Sequence, residues 1–237
     1  MIDTHCHLLP RIDDGPRTAN DAVRLARRLR DEGITTVVCT PHFSDRWPTP
    51  TLVARERHAE LRRALEIVAV DLETTVAAEL SVGRALETSF ARLRVRAIGG
   101  RFPLVELVRD TPPDALDAVV DRLAAGGLVP IFAHPERCRA VQLDLSLLDG
   151  PRSRGALVQV VAPSLAGRSG DAVWTTAWTL VETGVADLLA SDAHMDGART
   201  PPFAAVAALV AARCGEERRE ALTETGPRRV LEPATAS

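Results

Sequence analysis

Short β-branched and apolar runs alternate along the chain with longer segments in which apolar residues recur every third or fourth position, the signature of βα units around a parallel sheet. The runs predict strands over residues 1–4, 34–40, 74–78, 104–108, 129–133, 156–161 and 186–190. Ala22, Leu25, Ala26 and Leu29 share one helical face, with Thr18 placed as an N-cap and Gly33 as the stop. Leu116, Val119, Val120 and Leu123 repeat the spacing between Pro112-Pro113 and Gly126-Gly127. Residues 52–68 mix Arg55, Glu56, Glu60 and Arg63, as a solvated outer helix does. No repeat or linker interrupts the pattern, so the expectation is one α/β domain over residues 1–237, barrel-like, with a helical C-terminal tail from about residue 203.

In such a sheet the active site forms at the C-terminal ends of the strands and in the loops after them. Polar residues collect at those positions. His5 and His7 follow the first predicted strand, His42 the second, Glu79 the third and His134 the fifth; Glu106 lies in or near the fourth, and Asp192 and His194 follow the last. Of six histidines only His58 falls elsewhere, in the charged helix. His5-Cys6-His7 and Asp192-Ala193-His194 each put two ligand-type side chains on the same side of extended backbone, where both can reach one ion. Each pair alone is weak evidence; together with carboxylates at other strand ends they point to metal. The mixed N and O set exceeds the four ligands of a tetrahedral zinc site and suits two or three ions sharing carboxylates, with Mn, Fe or Zn favoured over Mg or Ca. Clustered divalent metals are the usual apparatus for phosphate-ester hydrolysis. Arg137 and Arg199 lie close by in sequence and offer planar guanidinium groups for phosphoryl oxygens.

Composition narrows the chemistry further. The chain has no Tyr and no Lys, so all 29 basic residues are Arg, which excludes Schiff-base chemistry, a phosphate-loop lysine and a tyrosine acid, base or nucleophile. The net charge of -3 and the scatter of Arg among acids argue against a nucleic-acid partner. No apolar run reaches the ~20 residues that span a bilayer, and Met1 leads directly into Ile2-Asp3-Thr4-His5 without a leader; the expectation is a cytoplasmic protein without membrane insertion. Cys6, Cys39, Cys138 and Cys214 fit reduced thiols. A cysteine phosphatase loop needs Arg six residues after Cys, and those positions hold Ile12, Asp45, Asp144 and Glu220, so all four read as packing residues. Asp13 reads as a turn residue beside Gly15. Asp3 reads equally as a partner of a ligand imidazole or as a polar residue at a strand start, Glu136 as an arginine partner, and Trp47 as packing or as part of a substrate groove.

The combination Met1-Ile2-Asp3-Thr4-His5-Cys6-His7-Leu8-Leu9-Pro10, Ile12-Asp13-Asp14-Gly15-Pro16, Gly33-Ile34-Thr35-Thr36, Thr40-Pro41-His42, Val105-Glu106-Leu107, Ala133-His134-Pro135-Glu136-Arg137 and Ser191-Asp192-Ala193-His194 resembles the bacterial manganese-dependent protein-tyrosine phosphatases of capsular and exopolysaccharide synthesis, within the polymerase and histidinol phosphatase (PHP) superfamily. The resemblance covers roughly residues 1–203. It implies a distorted (β/α)7 barrel, TIM-like and of PHP type, with a trinuclear site. Position by position it implies His5, His7, Asp14, His42, Glu79, Glu106, His134, Asp192 and His194 as metal ligands, Glu106 bridging two ions, and Arg137 and Arg199 as phosphate binders. Ala77-Ala78-Glu79 lacks the glycine that often precedes the family's glutamate. Gln159-Val160-Val161 stands where the family commonly reads Gln-Ile-Asn, and the loop over residues 43–50 also departs from the family; both bear on the substrate.

The expectation is a phosphomonoesterase acting on phosphotyrosine in proteins. A metal-bridging hydroxide would attack in line without a covalent enzyme intermediate, with His42 or a metal assisting the leaving phenolate. The cofactors would be manganese, with iron or zinc as alternatives. The partner would be a phosphotyrosine protein, for which a polysaccharide-associated bacterial tyrosine kinase is the candidate; the oligomeric state stays open. The alternatives are a small-molecule phosphatase of histidinol-phosphate type and a non-catalytic metal-binding scaffold.

Overall fold

In a computed structural model the described residues are 1–195 and 201–232. The strands are β1 (Ile2–Cys6), β2 (Thr36–Cys39), β3 (His42–Phe43), β4 (Glu73–Val76), β5 (Glu79–Ser81), β6 (Leu104–Glu106), β7 (Ile131–Ala133), β8 (Leu157–Val161) and β9 (Leu188–Ala190). The helices are α1 (Ala19–Asp31), α2 (Thr51–Ile67), α3 (Val82–Glu87), α4 (Phe90–Arg94), α5 (Asp114–Ala124), α6 (Arg139–Leu143), α7 (Asp149–Ser153), α8 (Ala162–Leu165), α9 (Asp171–Glu182), α10 (Phe203–Cys214), α11 (Glu216–Glu220) and α12 (Gly226–Leu231). A 3-10 turn over Pro135–Arg137 follows β7, and a single π-helical turn, Ala221–Thr225, joins α11 to α12.

Every strand pair is parallel. One sheet has the order β1-β2-β4 and the other β3-β5-β6-β7-β8-β9. The strands predicted over 34–40 and 74–78 form as β2 and β4, and after a break each path resumes in a short strand, β3 and β5, that the sequence pattern does not predict. Pro41 has no N–H to contribute between β2 and β3, and Ala78 between β4 and β5 donates away to Arg96 O (2.9 Å). Ala77 N to Cys39 O (2.9 Å) and Glu79 N to Pro41 O (3.1 Å) carry the pairing across the breaks. At the other edge, Asp192 N donates to His5 O (2.9 Å) and His7 N to Ala193 O (2.8 Å), beside a parallel bridge between Cys6 and Ala193.

The helices form where expected. Thr18 caps α1 by accepting from Asp21 N, Gly33 follows its end with φ +85°, and α5 buries Leu116, Val119, Val120 and Leu123. The larger apolar cluster packs these faces against Val105, Phe132, Val158, Val160 and Leu189 of the strands. A smaller cluster joins Leu104, Ile131, Leu157 and Leu188 on the opposite strand face. Register explains where the site lies. Leu104, Ile131 and Leu157 sit side by side, and two residues on, at the C-terminal strand ends, Glu106, Ala133 and Gln159 do the same. Because side chains alternate with period two, the face that is apolar at one end turns polar at the other.

Candidate metal centre

Five imidazoles and four carboxylates converge at that polar end. His5 and His7 project from β1 and the residue after it, His42 starts β3, Glu79 starts β5, Glu106 ends β6, His134 follows β7, Asp192 and His194 follow β9, and Asp14 comes from the loop before α1. The His7 and His194 rings stack at 3.9 Å, and the His7 and His42 centroids lie 4.5 Å apart. Four overlapping groups each bring their ligand atoms within 4.8 Å of one another: His7, Asp14, His42 and His194; His5, Glu79 and His134; His5, His7 and Asp192; and His42, Glu79 and Glu106. All nine sequence-predicted ligands thus come together. Arg137 joins them, its Nη1 donating to Asp192 Oδ2 (2.7 Å) with 31% of its side chain exposed. Arg199 lies outside the described residues.

Hydrogen bonds around the cluster decide its chemistry. His5 Nδ1 lies 2.8 Å from Gln159 Oε1, and Gln159 Nε2 donates to Thr4 Oγ1 (2.9 Å). His5 therefore carries its proton on Nδ1 and a lone pair on Nε2 when neutral. His7 does the same, with Nδ1 2.8 Å from Asp13 Oδ2. The two Nε2 atoms then face each other at 3.3 Å, and the buried Glu79 Oε2 lies 3.4 and 3.3 Å from them and 2.9 Å from His42 Nδ1. Three acceptors around one point repel unless a positive charge sits among them, so these residues fit a divalent cation. The burial of Glu106, followed by the nearby Glu79 carboxylate, raises its pKa, a second sign of negative charge that an ion would neutralise.

Without metal, protons take that part. Burial opposes charge on His7, yet the carboxylates of Asp13 and Glu79 hold its pKa well above the usual imidazole range. His42 likewise overcomes burial through Asp14 and Glu79 and rises to about 10. Asp14 is held far below the carboxylate range by His194 and His42, and Glu79, although buried, by the imidazoles of His5, His134 and His42. Burial disfavours charge on Arg137, but the Asp192 and Glu136 carboxylates outweigh it. The backbone is left-handed at two candidate ligands, His134 (φ 37°) and Asp192 (φ 51°); outside glycine this costs about 1–3 kcal/mol and concentrates at functional sites.

Sequence reasoning left two supporting residues without their part. Asp13 is a turn residue, accepting from Gly15 N (3.0 Å), but the same carboxylate accepts from His7 Nδ1 and from His42 N (3.0 Å). Gln159 orients His5; its signal is a lone amide in the fully buried run Leu157–Val161. Asp3 touches no ligand imidazole and instead accepts from Ser191 N (3.0 Å), Ser191 Oγ (2.5 Å) and His5 N (3.2 Å), joining the loop after β9 to β1. The Glu136 carboxylate accepts from Val161 N (3.1 Å) and seats the Pro135–Arg137 turn on β8. His58 is half-buried and bonds Thr74 of β4 (2.9 Å to Oγ1). Cys6, Cys39 and Cys138 are buried, and burial pushes the thiols of Cys6 and Cys39 far above the usual range, so neither is a ready nucleophile. Trp178 is buried and Trp47 half-buried.

Comparison with known proteins gives the same direction. The family model for capsular polysaccharide synthesis, CpsB/CapC, matches residues 1–232. The tyrosine-protein phosphatase YwqE of Bacillus subtilis is 31% identical over 196 residues, 82% of this chain and 77% of that protein. The putative tyrosine-protein phosphatase CapC of Staphylococcus aureus is 30% identical over the same shares. A crystal structure from a study of YwqE from Bacillus subtilis and CpsB from Streptococcus pneumoniae, described as unique metal-dependent tyrosine phosphatases, matches with TM-score 0.89 and 29% identity, covering 99% of this chain and 96% of that one. The lactonase Lmo2620 of Listeria monocytogenes shares the fold alone, at 11% identity, TM-score 0.57 and coverage of 97% and 94%.

Proposed function

The chain belongs to the CpsB/CapC family of capsular polysaccharide synthesis, and from that premise we propose that it is a metal-dependent tyrosine-protein phosphatase, a hydrolase that removes phosphate from phosphotyrosine in proteins. The observation that carries this reading is the pair of His5 and His7 Nε2 atoms facing each other across 3.3 Å around one buried Glu79 oxygen that His42 also approaches. His5, His7, Asp14, His42, Glu79, Glu106, His134, Asp192 and His194 would hold a trinuclear centre, with Glu106 bridging. Manganese is favoured, with iron or zinc as alternatives; the overlap of the four ligand groups supports more than one ion. Divalent ions there acidify water into a nucleophile and neutralise charge on the phosphoryl oxygens.

The chain's own groups do the rest. Arg137, part-exposed at the rim and anchored to Asp192, presents its guanidinium to the phosphoryl oxygens, and Arg199 is the second such group. Both nitrogens of His42 face carboxylates of the cluster, Glu79 (2.9 Å) and Asp14 (3.4 Å), which favours its ligand role over that of acid toward the leaving phenolate. Cys6 turns its thiol to Ala193 O, away from a nucleophile's part, which supports hydrolysis without a covalent cysteine intermediate.

The fold reading that goes with this is a distorted (β/α)7 barrel in a single domain over residues 1–237. It is supported by the continuous pairing of β2 into β3 and β4 into β5, and by the contact of β1 with the segment after β9. The substrate is a phosphotyrosine protein of the cytoplasm, with a polysaccharide-associated tyrosine kinase as the candidate. Among the described residues no helix is long and apolar enough to cross a membrane. Purified protein should hydrolyse a phosphotyrosyl peptide with added Mn and lose that turnover with chelator or on His5→Ala. Turnover indifferent to both would overturn the reading.

A further inference from the structure

A cleft of about 560 Å³ opens at the end of the sheet opposite the metal centre. Its walls are small and apolar: Leu157 and Leu188, which start β8 and β9, with Ala186 and Ala221. Arg218, Arg228 and Arg229 also line it, together with Asp187, Glu232 and Thr225. Arg218 is anchored, its Nε donating to Val181 O (2.9 Å) and its Nη2 to Ala186 O (2.7 Å). Arg228 and Arg229 are exposed and make no hydrogen bond or salt bridge to a described residue. Asp187 is fixed by accepting from Val158 N (2.9 Å). The π-helical turn Ala221–Thr225 lines one wall, and such turns recur at functional sites. Gly226 lets that turn press on β9, since a Cβ there would lie 2.5 Å from Asp187 O.

We propose that this cleft binds a small organic phosphate bearing hydroxyl groups, of mononucleotide or sugar-phosphate size. The volume falls within the roughly 300–1,000 Å³ of small-ligand pockets and far exceeds a free phosphate ion. Two exposed arginines with no hydrogen bond or salt bridge to a described residue, beside an anchored third, suit phosphoryl oxygens, which guanidinium groups bind in pairs. Asp187, Glu232 and Thr225 supply acceptors for the hydroxyl donors of such a molecule, and the apolar walls take its ring. The metal centre would also meet phosphates, so the two sites must be told apart.

The test uses the metal-loaded protein with α,β-methylene-ADP, whose terminal phosphonate has no ester bond to hydrolyse, and in parallel inorganic phosphate. Calorimetry should give two molecules of the analogue per chain, and hydrogen exchange should slow over residues 218–229. In the double variant Arg228→Ala/Arg229→Ala the cleft affinity should fall about 10-fold or more, that protection should vanish, and hydrolysis of an aryl phosphate should be unchanged. Arg137→Ala should keep the cleft molecule. A single molecule per chain that Arg137→Ala removes, or protection over 218–229 that survives the double variant, overturns the proposal. Inorganic phosphate protecting the cleft as well as the analogue would overturn the organic part of the ligand.

Discussion

Replacing Asp13 by Asn tests whether the imidazole of His7 is held for metal. The Asp13 carboxylate is buried and accepts three hydrogen bonds: from His7 Nδ1 (2.8 Å) and His42 N (3.0 Å) on one oxygen, and from Gly15 N (3.0 Å) on the other. An asparagine of the same shape has one acceptor oxygen. Turned toward His7 and His42, it sets its NH2 against the Gly15 N–H; turned the other way, it sets NH2 against two donors. The first arrangement is the milder. It leaves one buried N–H unsatisfied, costing about 1–3 kcal/mol, and exchanges a charged acceptor for a neutral one at His7, worth about 1 kcal/mol more. The first loss falls on folding in either metal state. The second also falls on the ligand, because a carboxylate behind an imidazole raises its basicity and fixes its tautomer; losing it typically weakens metal binding 10–100-fold, about 1.4–2.7 kcal/mol. Competition with a fluorescent chelator for Mn would measure this directly, with thermal melts with and without metal separating it from stability. If Asp13→Asn bound metal as tightly as the unaltered protein, the argument that His7 is a metal ligand oriented through Asp13 would fail.

Three further outcomes follow from the same geometry. Arg137→Lys keeps the charge but loses the planar two-point fork, so turnover of a phosphotyrosyl peptide should fall about 10-fold or more with the fold intact by circular dichroism. Gly15→Ala places a Cβ 2.4 Å from His7 O; overpacking of this kind costs about 1–3 kcal/mol, so denaturant melts should show the loss and chelator competition a weaker metal site. Burial lowers the His58 pKa below its usual value while the Thr74 carbonyl partly restores it. The unfolded chain therefore takes up the proton first, and stability is lost as pH falls through about 6.5 and is flat above it. The difference between the denaturant midpoints of the unaltered protein and His58→Gln should show that slope; a constant difference from pH 5 to pH 8 would refute it.

What could be read along the chain was whatever depends on local periodicity or on residue type. The βα alternation, the cap at Thr18 and the stop at Gly33 are local, and so is the H-x-H spacing that turns His5 and His7 to one side. The short strands β3 and β5 that resume after Pro41 and Ala78 were missed because two- and three-residue strands carry no period of their own and depend on pairing with neighbouring strands. Asp13 was legible as a turn residue, but its bond to His7 depends on how the loop before α1 folds over β1.

The sequence by itself therefore determined the chemistry available: imidazole, carboxylate, thiol and guanidinium, with no lysine or tyrosine, and ligand-type residues gathered at strand ends by a period of two. Only the tertiary structure decided which of them meet. Parallel register set Glu106 beside Ala133 and Gln159, the contact of β1 with the segment after β9 joined His5 and His7 to Asp192 and His194, and Asp13 and Gln159 fixed which nitrogen of each imidazole faces inward. These outcomes depend on distances between residues as many as 188 positions apart, which hydrogen bonding and packing set and local sequence pattern does not encode.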